Sequence, residues 1–202
     1  MASDALARFN DAIDTANRLL SARDSRVNRL GRSDFYHASW TAMIASWDSF
    51  VKTICKEFLS KSNNSLTLGI PNNAVVSAQK VNHQALVMYE RLLKIFNTPN
   101  FDNSRELILT ATGVDFYSKW KWDDKNISSL SLKRYLDEAV GVRHSFAHGF
   151  PLRSIPNFST VDGNSNLTYR KTIFLRGLLK EITAITDREL EAALMQYFYR
   201  TF

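Results

Sequence analysis

Apolar residues recur at steps of three and four along most of the chain, and this period constrains the fold more than any other feature. Leu6, Phe9, Ile13, Ala16 and Leu20 form one stripe, and Trp40, Met43, Trp47, Phe50, Ile54 and Phe58 a second, wider one. Val75, Ala78, Val81, Tyr89 and Phe96 follow, then Leu132, Leu136, Ala139 and Val142, and last Leu178, Ile182, Ile185, Leu190 and Leu194. A period near 3.6 gathers such residues on one side of an α-helix. The chain has only seven Gly and four Pro in 202 residues, which suits long helices better than many tight turns. The spacing predicts helices over residues 3–30, 34–60, 74–97, 101–112, 129–148 and 171–200. Stripes of this kind must cover one another, so the expected fold is a single all-α domain over residues 1–202, an antiparallel bundle of roughly four to six helices.

Local signals set the expected boundaries. Ser3 or Asp4 is placed to cap the first helix and Gly31 to end it; Ser33 or Asp34 is placed to cap the second. Lys61–Asn73 is polar, contains Gly69 and Pro71, and reads as a surface loop. Thr98-Pro99-Asn100 stops the third helix, Asn103 or Ser104 caps the short one after it, and Gly113 closes that one. Trp120 and Trp122 alternate as in a short extended piece, with packing as their expected role and base stacking as the alternative. Between residues 157 and 171, Asp162-Gly163-Asn164 lies between alternating Phe158, Thr160, Leu167 and Tyr169, a pattern that allows a small β-hairpin.

Composition limits the functional classes. The lone Cys55 excludes an internal disulfide and a multi-cysteine zinc site, and its place on an apolar face predicts a buried thiol. No run of about 20 apolar residues is present, so no membrane span is expected, and the start Met1-Ala2-Ser3-Asp4 does not read as a signal peptide. The expected location is the cytoplasm. A net charge of +6 favours an anionic partner. Arg23, Arg26, Arg29 and Arg32 recur at every third residue. They form either a solvated helix face or a ridge able to track phosphates, and Arg23, Arg26 and Arg29 are the candidate RNA contacts. Neither a GxxxxGK loop nor a GxGxxG motif is present.

The chemistry concentrates in Arg143-His144-Ser145-Phe146-Ala147-His148-Gly149, at the end of an amphipathic helix and just before Pro151. A guanidinium holds a phosphate through parallel hydrogen bonds, and an imidazole moves protons near neutral pH. On a helical wheel centred on Ala139, Arg143 falls about 40° from the core direction and His148 about 180° from it. The two therefore converge only if the helix unwinds at His148 or if two copies of the helix face each other. An arginine or protonated histidine here also suits the helix dipole, which is the purely structural alternative. His144 and His148 are spaced as a zinc pair is, but no glutamate follows His144 and no second ligand cluster is evident, so no metal is expected. Ser145 lies between the two histidines, but adjacent side chains on a helix splay apart, so a catalytic triad is not expected. His37 and His83 stand apart and are read as surface or interface groups.

With these residues the chain resembles the HEPN superfamily, more narrowly the RiboL-PSP and toxin-type HEPN domains. Arg143 matches the family's arginine, His144 occupies its polar position, where Asn or Asp is commoner, and His148 matches its histidine. The resemblance implies a metal-independent endoribonuclease without a cofactor. It would act as a homodimer through the motif helix, with His148 as general base or acid, Arg143 on the scissile phosphate and His144 orienting RNA or assisting proton transfer. It also implies a toxin–antitoxin or antiphage setting with an antitoxin or sensor partner. The alternative is a non-catalytic HEPN-like module that binds RNA, nucleotides or protein.

Overall fold

The computed structural model describes residues 3–22, 29–66, 83–84, 86–93, 96 and 99–200. It is all-α, and no strand occurs among the described residues. Helix α1 spans Asp4–Ala22 and α2 spans Arg29–Leu66; residues 86–93 form α3. Helices α4 (Phe101–Thr112), α5 (Ser129–Ala147), α6 (Pro156–Asp162) and α7 (Tyr169–Arg200) follow, with a 3-10 turn at Asp123–Lys125. Among the described residues no helix is long and apolar enough to cross a membrane.

The wide stripe on α2 makes it the centre of the bundle, packed against α1, α4, α5 and α7. Trp40, Met43, Ile44, Trp47, Phe50 and Val51 are all buried on it. A buried indole N–H needs an acceptor, and each of three tryptophans finds one on another element. Trp40 donates to the Ala139 carbonyl of α5 at 3.0 Å, Trp47 to the Pro99 carbonyl at 3.0 Å, and Trp120 to Thr186 Oγ1 of α7 at 2.9 Å. Trp120 is thus a core residue, edge-on to Trp47 and Phe101, and cannot stack on a base. At the start of the chain the Ser3 hydroxyl accepts from the Leu6 N–H at 3.0 Å, and the Ser3 N–H donates to the Asp187 carboxylate of α7 at 3.2 Å. Ser3 is the cap of α1.

Several boundaries differ from expectation. Helix α1 is described as far as Ala22, residues 23–28 lie outside the described residues, and Gly31, Ser33 and Asp34 lie inside α2. An interior glycine costs about 1 kcal/mol, and Ser or Asp less, while the continuous apolar face of α2 contributes far more. Helix α2 runs on through Ser62, Asn63 and Asn64 to Leu66, into the expected loop. Of the expected third helix, 86–93 is helical; residues 74–82 lie outside the described residues. Asn100, not Asn103 or Ser104, caps α4, its side chain accepting from the Asn103 N–H at 2.9 Å. Gly113 ends that helix at φ +72, as expected.

The expected hairpin at 157–171 is instead α6 followed by a coil. Pro156 presets the helical φ at the start of α6, and the Glu138 carboxylate of α5 accepts from the N–H groups of Asn157 (3.0 Å) and Phe158 (3.2 Å). Gly163 closes α6 at φ +72. Side chains of Asp162 and Asn164 then bond the backbone two residues on, which favours local turns over a strand ladder. The buried Lys171 ammonium donates to the carbonyls of Asn164 and Asn166 and pairs with Asp162 at 3.4 Å, locking the coil onto α7.

The extended character read from Trp120 and Trp122 survives as an isolated bridge between Trp122 and Ile127. The Trp122 ring lies over Gly177 of α7, where a Cβ would come within 2.6 Å of the ring's Cη2. Helix propensity alone gives Gly177→Ala a gain of about 1 kcal/mol; the clash with a rigid indole should turn this into a loss of about 1–3 kcal/mol, read as a lower midpoint in urea.

Candidate functional site

Helix α5 carries the motif, and both of its ends are fixed. The Ser128 hydroxyl accepts from the Ser131 N–H at 3.3 Å and caps the start. Leu132, Leu136, Ala139 and Val142 are buried, and the Trp40 bond to Ala139 sets the helix against α2. At the other end Gly149 takes φ +66, the Gly149 N–H donates to the Phe146 carbonyl at 3.3 Å, and the Phe150 N–H donates to the Ser145 carbonyl at 2.9 Å. This pair of bonds is a Schellman motif, in which the backbone caps its own last turn. The side chains of Arg143, His144 and His148 make no hydrogen bond or ion pair among the described residues, so none of these side chains caps the helix. The structural alternative is left with the helix dipole alone, since no side chain of the motif bonds the last carbonyls among the described residues.

Helix α5 ends at Ala147, and His148 is its C-cap residue at φ −106, ψ 6. The chain leaves the helix at His148, whose N–H still donates to the His144 carbonyl at 3.2 Å. Arg143, His144 and His148 now line one open cleft of about 390 Å³, together with Asn100, Asp137 and Arg153. The two imidazole rings lie 4.4 Å apart, and Phe150 stacks on His148 at 5.8 Å and 28°. Phe146 and Phe150 are both exposed.

Two consecutive carboxylates on α5 frame this cleft. The Asp137 carboxylate accepts from the Phe101 N–H at 3.2 Å and holds the start of α4, where Asn100 stands. Burial, the largest influence, pushes Asp137 above the usual carboxylate range. Glu138 holds the start of α6 and so anchors the segment that carries Arg153. Adjacent helical residues point about 100° apart, which lets neighbouring side chains reach two different helices.

The other candidates separate from this site. Arg23 and Arg26 lie outside the described residues; Arg29 is the first residue of α2 and its side chain is likewise not described, while Arg32 is exposed. His83 is exposed. His37, expected to stand apart, is half-buried with its ring edge-on to Phe146 of the motif helix at 5.2 Å. Ser145 is buried, out of reach of a substrate. Cys55 is buried and its thiol is pushed up to about 12, chiefly by desolvation, so it is inert. No third ligand joins His144 and His148 in a metal-binding group among the described residues. The sequence reading missed Arg153, Asp137, Asn100 and Phe150. The one signal available for Arg153 was Gly141, a glycine inside a strong helix, which marks close approach of another group.

The RiboL-PSP-HEPN family model matches the chain over residues 4–192. No curated protein and no solved structure gives a significant match.

Burial holds the His37 imidazole below its ordinary 6.5, against the opposing pull of the Asp34 carboxylate. A depressed value means the fold favours the neutral ring. This stability is present above the unfolded value and is lost as pH falls through the folded one. Urea midpoints should therefore drop from about pH 7 to about pH 5, and His37→Phe, which keeps an edge contact with Phe146, should reduce that drop.

Proposed function

Because the chain belongs to the RiboL-PSP-HEPN family, whose HEPN domains are often RNases, we propose that it is a metal-independent endoribonuclease with its active site in the α5 cleft. One observation carries this reading. Arg143, His144 and His148 line one open cleft, their side chains without a hydrogen bond or ion pair among the described residues, at a helix end that the backbone has already capped.

An imidazole accepts the proton of a ribose 2′-OH as that oxygen attacks the adjacent phosphorus. The 2′-O–P bond forms, the P–O5′ bond breaks, and the leaving 5′-oxygen takes up a proton. The products are a 2′,3′-cyclic phosphate and a 5′-OH. His148 serves as general base or acid, and the neighbouring His144 orients the RNA or assists the proton transfer. Arg143 holds the scissile phosphate and stabilises the charge that builds on its equatorial oxygens. The need for a 2′-OH selects RNA over DNA.

The enzyme acts as a homodimer through α5, whose exposed Phe146 and the adjoining Phe150 supply apolar surface for a partner copy. It works in the cytoplasm in a toxin–antitoxin or antiphage system, held in check or triggered by an antitoxin or sensor.

Wild-type protein in EDTA should cleave a mixed RNA pool and leave cyclic-phosphate ends. His148→Ala should lose roughly 10²–10⁴-fold in rate, and Arg143→Ala roughly 10²–10³-fold. Because the exposed His148 side chain makes no hydrogen bond or ion pair among the described residues and only ring contacts to His144 and Phe150, its removal should shift stability by no more than about 1 kcal/mol and leave the light-scattering mass unchanged. Binding without cleavage by the wild type would leave a non-catalytic RNA-binding module; loss of activity in EDTA would overturn the metal-free mechanism.

A further inference from the structure

Asp137, Gly141 and His144 follow one another at steps of four and three along one face of α5, and the C-cap residue His148 continues that line, its ring 4.4 Å from that of His144. Gly141 is the gap in that line. It is buried although it faces outward, because the Arg153 side chain lies over it. A Cβ at this position would sit 3.1 Å from Arg153 Cδ, 3.6 Å from Nη1 and 3.9 Å from Nε. A glycine inside a helix is less favourable than an alanine. Here its missing Cβ seats a second guanidinium in line with the two imidazoles.

Arg153 is exposed, comes from the coil between α5 and α6, and makes no hydrogen bond or ion pair among the described residues. Asp137 is the one carboxylate among the residues that line the cleft, and it is turned to the Phe101 N–H. The cleft thus holds two guanidinium groups, from Arg143 and Arg153, and no carboxylate among the described residues is bonded to either. Two such cations in one concavity repel each other unless an anion lies between them or along them. From Gly141 to the histidines the α5 face runs roughly 5–10 Å along the helix axis, which suits a run of phosphates better than a single one.

We propose that Arg153, seated in the notch left by Gly141, forms a second phosphate subsite that grips the RNA phosphate next to the scissile one. This rests on the RNA-cleaving reading of the same cleft. Arg143 engages the reacting phosphate, and Arg153 fixes the direction in which the strand leaves it. Arg153 is then a binding residue, and its removal weakens substrate capture without slowing the chemical step.

The test uses a fluorescent single-stranded RNA with 2′-O-methyl groups throughout, which binds but cannot react, measured by anisotropy over a salt series with the full chain. Arg153→Ala should weaken binding about tenfold, the loss of one charge-assisted contact. It should also make the logarithmic salt slope shallower by about 0.7, the value of one single-stranded phosphate. Arg153→Lys should keep the slope. Gly141→Leu, which fills the notch and leaves Arg153 chemically intact, should weaken binding as Arg153→Ala does. In parallel, cleavage of unmodified RNA should show KM raised about tenfold and kcat unchanged for Arg153→Ala, the signature of lost ground-state binding. Unchanged affinity and slope in Arg153→Ala, or no binding by the wild type, overturns the subsite. Cleavage by the wild type with KM unaltered in Arg153→Ala overturns the subsite and leaves the RNase reading standing. A shifted salt slope with no cleavage by the wild type overturns the RNase reading and keeps the subsite.

Discussion

The hydrogen bond from the Trp40 indole to the Ala139 carbonyl fixes how α5 is turned about its axis. The carbonyl lies in the middle of a helix, where its second lone pair is free to accept an indole N–H. The bond forms because position 139 carries only a methyl group, which lets the ring approach the backbone, and because a buried indole N–H left unpaired would cost about 1–3 kcal/mol. Phe158 of α6 packs edge-on against the same indole at 4.8 Å, so one side chain registers α2, α5 and α6. Once Ala139 faces inward, the period of the helix leaves Asp137, Gly141, His144 and His148 no direction except outward. The chemistry of the motif is therefore aimed by a residue about a hundred positions away in sequence.

The way α5 ends is as important as the way it is turned. The last carbonyls of a helix are satisfied by side chains, by water or by backbone N–H groups just beyond its end. Here Gly149 and Phe150 do this through the backbone, and the dihedral freedom of Gly149 at φ +66 makes it possible. Arg143 and His148 are thereby released from structural duty. On the helical wheel Arg143 and His148 point about 140° apart, and Asn100 and Arg153 from outside α5 complete the cleft that both of them line.

The sequence made the buried faces legible and the ends less so. Stripes at three and four placed Phe9, Ile13, Trp40, Trp47, Leu132 and Leu136 inward, because burial follows the helical period directly. Boundaries failed where a local signal was weaker than tertiary packing: Gly31, Ser33 and Asp34 each carry stop or cap preferences of about 1 kcal/mol, which the packed length of α2 overrides. The hairpin failed for a related reason. Phe158 and Leu167 are both buried, but on a short helix and the coil after it, and the carboxylate that starts that helix is Glu138, contributed from another element. In the candidate site, Arg143, His144 and His148 were readable as a motif. Arg153 was not, since its place depends on the path of the coil after Gly149.

Asp137 and Glu138 explain how an open cationic cleft can be compatible with a stable fold. Cations gathered at a surface repel one another and gain little from distant charges through water. A carboxylate placed among them would form ion pairs and fill the cleft. On α5 the two available carboxylates are instead bonded to backbone N–H groups at the starts of α4 and α6. There they satisfy orphan donors and meet the positive ends of two helix dipoles. The same bonds hold Asn100 on one wall and anchor the segment of Arg153 on the other. The negative charge nearest the motif thus stabilises its walls, and the positive charge is left for a guest.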